Sequence, residues 1–136
     1  MALVRLRLDA GQGVSVSPSA LFSGPVSRQS LVGGDGEDAP WTSDSVRVNL
    51  VTFEPGGHTE LHVHELDQIL VITDGTGVIG TPTDLLHVAV GDVVVVPAGE
   101  EHFHGALDGR MSHLAIMAPC ATTVVAPLTA WPPAGA

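Results

Sequence analysis

The chain has 136 residues, of which 44% are apolar and 15% charged, and its formal net charge is −10. This length fits one domain with one hydrophobic core, and the apolar fraction is too high for a disordered chain. The excess of acidic side chains repels phosphate backbones and anionic lipid surfaces, so we expect neither nucleic acid nor a membrane as a partner.

The cytoplasm is the compartment that the sequence favours. Cys120 is the single cysteine, so no internal disulfide can form. Charged residues interrupt the first nine residues at Arg5, Arg7 and Asp9, which leaves no continuous apolar region of the kind that a signal peptide needs. The sequence also lacks the run of about 20 apolar residues that a membrane-spanning helix requires.

The N-terminal third, residues 1–45, is interpreted as one or more edge strands followed by a loop arm. Val4, Leu6 and Leu8 alternate with charged residues, which is the period of a half-buried strand at a sheet edge. Glycine, serine, aspartate and proline are frequent from residue 10 onward and favour loops. Short strands at 14–16 and 19–23 and a surface loop at 33–40 are predicted there.

The middle of the chain, residues 46–117, is predicted to be the core of an all-β barrel. Glycines and prolines separate short apolar runs at regular spacing, which is typical of β-sandwiches and barrels, and no stretch is convincingly helical. Residues 74–77, Asp-Gly-Thr-Gly, are predicted to form a hairpin turn. Residues 118–136 are predicted to be a C-terminal arm that covers either a neighbour or the barrel mouth. The predicted strands are 46–53, 59–64, 68–73, 78–81, 86–90, 93–96, 101–106 and 113–117.

The histidines carry the strongest functional signal, because six of the seven lie between residues 58 and 104. His62 and His64 are two residues apart, which on a strand places both imidazoles on one face with Cα atoms about 6.5–7 Å apart. His102 and His104 repeat this arrangement on a distant strand. A buried imidazole without a partner costs about 1–3 kcal/mol, so an interior cluster of this kind indicates a bound ion.

Two motifs around these histidines resemble those of the cupin family. The first motif is Gly56, five residues, His62-Val63-His64, three residues, Gln68 and then Gly75 or Gly77. The second motif is Gly91, five residues, Pro97-Ala98-Gly99, two residues and His102. In the second motif, Pro97 and Gly99 are expected at the second and fourth positions of a tight turn that orients the following strand. The resemblance covers residues 46–117. It implies a single-domain cupin β-barrel (a double-stranded β-helix or jelly roll), pairing into homodimers, and a divalent metal held by His62, His64, Gln68 and His102.

Gln68 departs from the cupin pattern, in which a glutamate usually stands at this position. A carboxamide oxygen can bind a metal but carries no charge, so the charge of the ion stays uncompensated. Such an ion is a stronger Lewis acid and a poorer one-electron reductant. Alternatively, Gln68 binds nothing and water takes its place. Small cupins with three histidines and one glutamine include hydroxynitrile lyases and resistomycin-type polyketide cyclases, and this sequence is similar to them in that respect.

The remaining candidate residues concern proton transfer and substrate binding. His104 is expected to act as a general base or as a residue that orients a neighbour, since an imidazole suits proton transfer near neutral pH. The resemblance to the cyclases implies a role for His113 as a second base or a further ligand. Asn49 and Met117 lie on strands that line the predicted barrel and are candidates for substrate binding, with plain structural roles as the alternative.

The sequence therefore predicts a metal-dependent enzyme that applies Lewis-acid and acid–base chemistry to a small carbonyl- or hydroxyl-bearing substrate, as a lyase, cyclase or isomerase. Imidazole and amide donors suit Mn, Fe or Zn, and Ni is also compatible. An oxygen-dependent dioxygenase is the second hypothesis, which the neutral Gln68 disfavours. A non-catalytic cupin that binds a metal and a small molecule is the third.

Overall fold

The regular structure of the chain is almost entirely β-strand. A computed structural model describes residues 2–136, and within this range one 3-10 turn, Ala10–Gln12, is the only helical element. No helix in the described part of the chain has the length and apolarity that crossing a membrane requires. The predicted all-β class is confirmed. The strands are β1 (Val14–Ser15), β2 (Phe22–Ser23), β3 (Val26–Gly33), β4 (Trp41–Thr42), β5 (Arg47–Phe53), β6 (His58–Thr59), β7 (Leu61–His64), β8 (Gln68–Gly80), β9 (Leu85–Ala89), β10 (Val93–Val96), β11 (Phe103–Gly105), β12 (Met111–Met117) and β13 (Thr122–Ala126).

The strands form a curled antiparallel sheet with two layers that share β8. One layer has the order β1, β3, β5, β12, β8 and β10, and the other has the order β9, β8, β11, β6 and β2. Among the described residues the only parallel pair joins β3 to β4. Strands β7 and β13 form a separate ladder, which a bridge between His62 and His102 connects to the second layer. Closing the sheet on itself in this way encloses an interior that side chains from both layers fill.

Strand β8 runs straight through the hairpin turn predicted at residues 74–77, so that prediction is wrong. The register between β8 and β12 shifts between Ser112 and His113, and Thr73 is the extra residue of the resulting bulge. Gly75, two residues further on, has a φ of +67° within the same continuing strand instead of starting a reversal between two strands. Up to Gly75 β8 pairs with β10 and β12, and beyond it with β9 and β11. One strand thus passes between the two layers.

The edge strand predicted from Val4, Leu6 and Leu8 is also wrong, because residues 2–9 form no strand. The Gln29 side chain accepts a hydrogen bond from the Asp9 amide (2.8 Å) and donates one to the Arg7 carbonyl (3.0 Å). A side chain satisfies this backbone where a neighbouring strand was expected. The alternation of apolar and charged residues in this segment therefore does not correspond to the buried and exposed faces of a sheet.

Strand β3 was not predicted, although it pairs with β5 along most of its length. Only Val26 and Leu31 among its apolar side chains are buried, and serine, arginine and glutamine stand between them. This composition gives no recognisable strand pattern, because pairing with another strand, and not the alternation of its own residues, stabilises β3. The loop predicted beside it is present and occupies residues 34–40.

The C-terminal arm folds back onto the barrel of its own chain. Strand β13 pairs with β7, with Thr122 opposite His64. Further on, the Trp131 indole N–H donates a hydrogen bond to the Ala106 carbonyl (2.8 Å), and its ring stacks on His58 with centroids 4.4 Å apart. The arm therefore contacts the barrel at two places, through Trp131 and through β13, and β13 lies directly beside the histidine pair of β7.

The apolar core lies between the two layers and ends at a polar cluster. Phe53, Leu70, Ile72 and Met111 are each at most 1% exposed. Five of the seven histidines are buried together with this core, namely His62, His64, His102, His104 and His113. Imidazoles are seldom buried in such number without bonding partners, because each one costs free energy unless its nitrogens are satisfied.

Candidate metal centre

Strand β7 places two histidines side by side in the interior. Along Leu61–His64 the residues alternate between half-buried and buried, and His62 and His64 are the buried ones. The two-residue period of an extended strand turns both imidazoles inward, as the sequence predicted. Their ring centroids are 5.0 Å apart.

His102 is placed beside this pair by backbone hydrogen bonds. The amide of each of His62 and His102 donates to the carbonyl of the other, at 3.0 and 2.9 Å. The preceding turn closes through the Glu100 amide, which donates to the Pro97 carbonyl (3.1 Å). Pro97 is therefore the first residue of the turn and Gly99, at φ +79°, the third, one position from the predicted register. A positive φ at the third position is the feature of a type II turn that favours glycine.

One ring nitrogen from each of His62, His64 and His102 lies within 4.8 Å of the other two. All three residues are buried, and burial lowers the pKa of His62 to about 3 and that of His102 to about 4. Burial also lowers the pKa of His64 below its ordinary value. The imidazoles are thus neutral at physiological pH, which is the protonation state that binds metals.

Hydrogen bonds fix which nitrogen of each ring faces the centre of the cluster. The Nδ1 atoms of His62 and His102 contact the carbonyls of Glu60 (2.8 Å) and Glu100 (2.9 Å). A carbonyl oxygen can only accept, so Nδ1 carries the proton and Nε2 keeps a lone pair. The Nδ1 atom of His64 contacts the Thr122 hydroxyl at 2.7 Å. The buried Nε2 atom of His64 has no partner among the described residues.

Gln68 completes the cluster from the first position of β8. Its side chain is buried, and its Oε1 lies 3.3 Å from the Nε2 of His102 while its amide nitrogen contacts the sulfur of Met117. Because Nε2 of His102 has a lone pair, two acceptors face each other across this distance. A cation bound by both atoms would turn this repulsion into attraction. The donor set, three neutral imidazoles and one amide oxygen, therefore fits a divalent transition metal.

A second pair of histidines lies on the same side of the interior. The Nε2 of His113 and the Nδ1 of His104 are 2.8 Å apart, while the Nε2 of His104 and the Nδ1 of His113 have no partner among residues 2–136. Burial places the pKa of His113 at about 4 and that of His104 well below its ordinary value. The ring of Phe53 packs against both imidazoles. These two histidines are linked to each other and stand outside the three-histidine cluster.

A cavity of about 350 Å³ opens beside both groups of histidines. Every predicted site residue except His102 lines it, including Asn49 and Met117. Five further polar side chains at this cavity were not predicted from the sequence, namely Arg28, Glu37, Arg47, Thr59 and Thr122. Arg28 lies on the unpredicted β3, and Thr122 reaches the site only because the arm folds back, so no local pattern marked either residue.

Comparisons with known proteins agree with this geometry. The cupin domain family matches residues 49–117. An (R)-mandelonitrile lyase from Granulicella tundricola is 46% identical in an alignment 96 residues long, and the match covers 57% of this chain and 72% of that protein. A cupin-like protein from Thermotoga maritima superimposes with a TM-score of 0.76 at 29% identity, over 89% of this chain and 91% of that one. The polyketide cyclase RemF from Streptomyces resistomycificus superimposes with a TM-score of 0.69 at 18% identity, over 95% and 89% of the two chains.

The fold and the site define the class of the protein. A curled antiparallel barrel, with a histidine pair on one strand and a third histidine after a Pro-Ala-Gly turn, is the arrangement that the two motifs predicted. This chain belongs to the cupin family. Lyases and a cyclase are among the proteins to which it is similar.

Proposed function

We propose that this protein is a metal-dependent lyase that acts on a small molecule with a hydroxyl or carbonyl group. The observation that carries the proposal is the meeting of two histidine groups at one cavity, one suited to hold an ion and the other to move a proton. The similarity to an (R)-mandelonitrile lyase makes a cyanohydrin the first substrate to test. Cyclase and isomerase outcomes share the same opening chemistry.

The ion in this proposal is held by His62, His64, His102 and Gln68, and Mn, Fe and Zn are the expected candidates, with Ni also compatible. When bound, the metal supplies Lewis-acid stabilisation of negative charge on the substrate oxygen. None of the four side chains is anionic at neutral pH, so the protein ligands add no negative charge that would weaken this stabilisation. Apolar side chains such as Phe22 and Val51 form part of the cavity wall, and they reduce the water that would screen this interaction.

The proton step belongs to His104 in this proposal. Its Nε2 has no partner, and its Nδ1 is hydrogen-bonded to His113. In cyanohydrin cleavage Nε2 accepts the hydroxyl proton, the carbon–carbon bond to the nitrile breaks, and cyanide leaves with the bonding pair as the carbonyl forms. The proton then returns to cyanide to give HCN. Because burial lowers the pKa of His104, the imidazole is neutral at the start and gives the proton up readily.

The experiment is cleavage of (R)-mandelonitrile by protein loaded separately with Mn, Fe, Zn and Ni, with benzaldehyde release as the readout. We expect turnover in at least one metal form and a loss of about 10²–10⁴-fold in His104→Gln, the usual contribution of a general base. His87→Gln is the matched control, since His87 is exposed and is not among the residues that line the cavity. Equal activity of His104→Gln and the wild type contradicts the assigned base.

Gln68→Glu tests the electrostatic part of the proposal. We expect this variant to keep one ion per chain, because a carboxylate also binds the metals concerned, but to cleave the cyanohydrin more slowly since the added charge weakens the Lewis acid. Metal content by elemental analysis and cleavage rate are measured together. Loss of the ion on this substitution contradicts the argument.

The same preparations test the two other functional hypotheses. A dioxygenase consumes oxygen in proportion to product, whereas the lyase turns over identically in its absence. A non-catalytic cupin binds the ligand with unchanged affinity in His104→Gln and shows no turnover in any metal form. Either result replaces the lyase proposal.

A further inference from the structure

We propose that the substrate of this cavity carries a carboxylate at the end remote from the reacting carbon, and that Arg28 binds it. This inference rests on the proposed function only for the location of the reacting end. It assigns a substrate class and a specificity-determining residue to a site whose chemistry is described above.

The distribution of positive charge is the first observation. The chain has five cationic side chains and a net charge of −10, and yet Arg28 and Arg47 line one cavity. Of the other three, Arg110 pairs with Glu54 at 2.9 Å, and Arg5 and Arg7 lie in the N-terminal segment outside the sheet. Concentrating two of five cations at one opening of an acidic protein creates a local field that attracts anions.

The register of the sheet places each of these arginines two strands away from a residue of the site. Arg28 on β3 lies across from Val51 on β5, which lies across from His113 on β12. Arg47 on β5 lies across from Met117 on β12, which lies across from Gln68 on β8. Neighbouring strands are about 4.8 Å apart, so in each row about 10 Å separates the Cα atoms of the arginine and of the residue on the reacting side. A small aromatic or short aliphatic acid spans that distance.

The two arginines differ in what they already bind. The guanidinium of Arg47 donates to the carbonyls of Ser43 (2.6 Å) and Val46 (3.2 Å), and its Nε lies 3.6 Å from a carboxylate oxygen of Glu37. Arg28 is exposed, lines the cavity, and makes no ion pair and no side-chain hydrogen bond with any of residues 2–136. A guanidinium with its planar donors unused can bind a carboxylate through two parallel bonds. Arg28 is therefore the anion-binding group, and Arg47 holds the loop that carries Glu37.

The charge balance at the opening favours a monoanion. Among the charged side chains that line this cavity, Arg28, Arg47 and Glu37 together leave a single uncompensated positive charge, which one carboxylate neutralises. A phosphate ester carries up to two negative charges, and the remainder of this acidic protein would repel the second. Glu37 competes electrostatically with any anion at Arg28, so removing its charge strengthens anion binding.

The test compares two probes of the same shape, 3-formylbenzoate and 3-formylbenzamide, which differ in the charge at the remote end. Binding to the zinc-loaded protein is measured by isothermal titration calorimetry at low ionic strength. We expect the wild type to prefer the benzoate, Arg28→Gln to lose about tenfold in affinity for it, and Glu37→Gln to gain affinity. The benzamide should bind all three proteins equally. Arg110→Gln is the control for a general change in protein charge.

Two results overturn the inference. One is equal affinity of the wild type for both probes, and the other is an equal loss of both probes in Arg28→Gln, which indicates a structural role only. Failure of the lyase proposal is distinguishable, because it appears as absent turnover while the charge preference at Arg28 persists. Turnover of neutral cyanohydrins without a preference for the carboxylate leaves the lyase proposal intact and refutes this inference alone.

Discussion

At the scale of single residues, the orientation of each imidazole depends on the partner of its Nδ1 atom. His62 and His102 each use the carbonyl of the residue two positions earlier, so the local backbone orients them. His64 instead uses the Thr122 hydroxyl, which comes from β13, 58 residues away in sequence. The geometry of one proposed ligand is therefore set by the C-terminal arm.

Thr122→Val tests this dependence. The substitution keeps the shape and removes the hydrogen bond, so we expect the dissociation constant for a divalent metal to rise about 10- to 100-fold, as for other residues that orient metal-binding histidines. Competition with a chromogenic chelator measures it. Thr123→Val is the control, because adjacent residues on a strand face opposite sides. Equal effects of the two substitutions would show that β13 acts through its general stability.

His113 makes the stability of the metal-free protein depend on pH. Burial holds its pKa at about 4 in the folded state, against about 6.5 in the unfolded chain. Between these values the unfolded chain binds more protons, so the free energy of unfolding falls as the pH falls from about 6.5 to 4, by about 1.4 kcal/mol per pH unit. Above pH 6.5 this histidine contributes no pH dependence.

Urea unfolding in EDTA between pH 4.5 and 7.5 measures the effect. In His113→Gln, the slope of the unfolding free energy against pH should lose the contribution of this histidine. In His87→Gln, which changes an exposed position, the slope should stay the same as in the wild type. A slope that is identical in wild type and His113→Gln would mean that the buried imidazole does not titrate with unfolding.

At the scale of elements, β8 determines how the two layers meet. Its first half carries Gln68 toward the cluster, and its second half pairs with β11, which follows His102. Gly75, with a φ of +67°, joins the halves, and a β-carbon there would overlap the Arg110 carbonyl oxygen. Backbone conformation and close packing therefore both require glycine at this position.

Gly75→Ala should lower the free energy of unfolding by about 2–5 kcal/mol, the sum of a left-handed alanine and an overpacked contact. Gly91→Ala is the matched control: its φ is +95° but a β-carbon there meets no atom within 4 Å. It should cost only about 1–2 kcal/mol. Chemical denaturation of both variants measures the difference, and equal losses would exclude the steric contribution of the Arg110 carbonyl.

At the scale of the whole molecule, the proposed ligands come from segments that are distant in sequence. His62 and His64 lie on β7, Gln68 starts β8, and His102 follows the turn after β10. An unfolded chain does not hold these groups together, so an ion that binds here binds the folded state alone. Its binding free energy therefore adds to the stability of the fold.

Adding zinc to the metal-free protein should raise the unfolding free energy by about 2.7 kcal/mol at a free concentration one hundred times the dissociation constant, a rise in melting temperature of roughly 10 °C. Differential scanning calorimetry before and after EDTA measures it. His62→Ala should show no such shift. A shift that persists in His62→Ala would place the stabilising ion elsewhere on the molecule.

The sequence by itself determined the strand-rich class, the placement of His62 and His64 on one face of a strand, and the position of His102 after a turn. These follow from local rules, because a two-residue period fixes a face and a Pro-Ala-Gly segment fixes a turn. The homodimer, the cytoplasmic location and the division of the chain at residues 45 and 117 remain predictions.

Only the tertiary structure decided that residues 74–77 continue strand β8, that residues 26–33 are a strand and that residues 2–9 are not. It also brought Arg28 and Thr122 to the cavity. The physical reason is common to all of these cases. Strand pairing and side-chain contacts between distant segments contribute more free energy than the local preference of a few residues, and such contacts leave no periodic trace in the sequence.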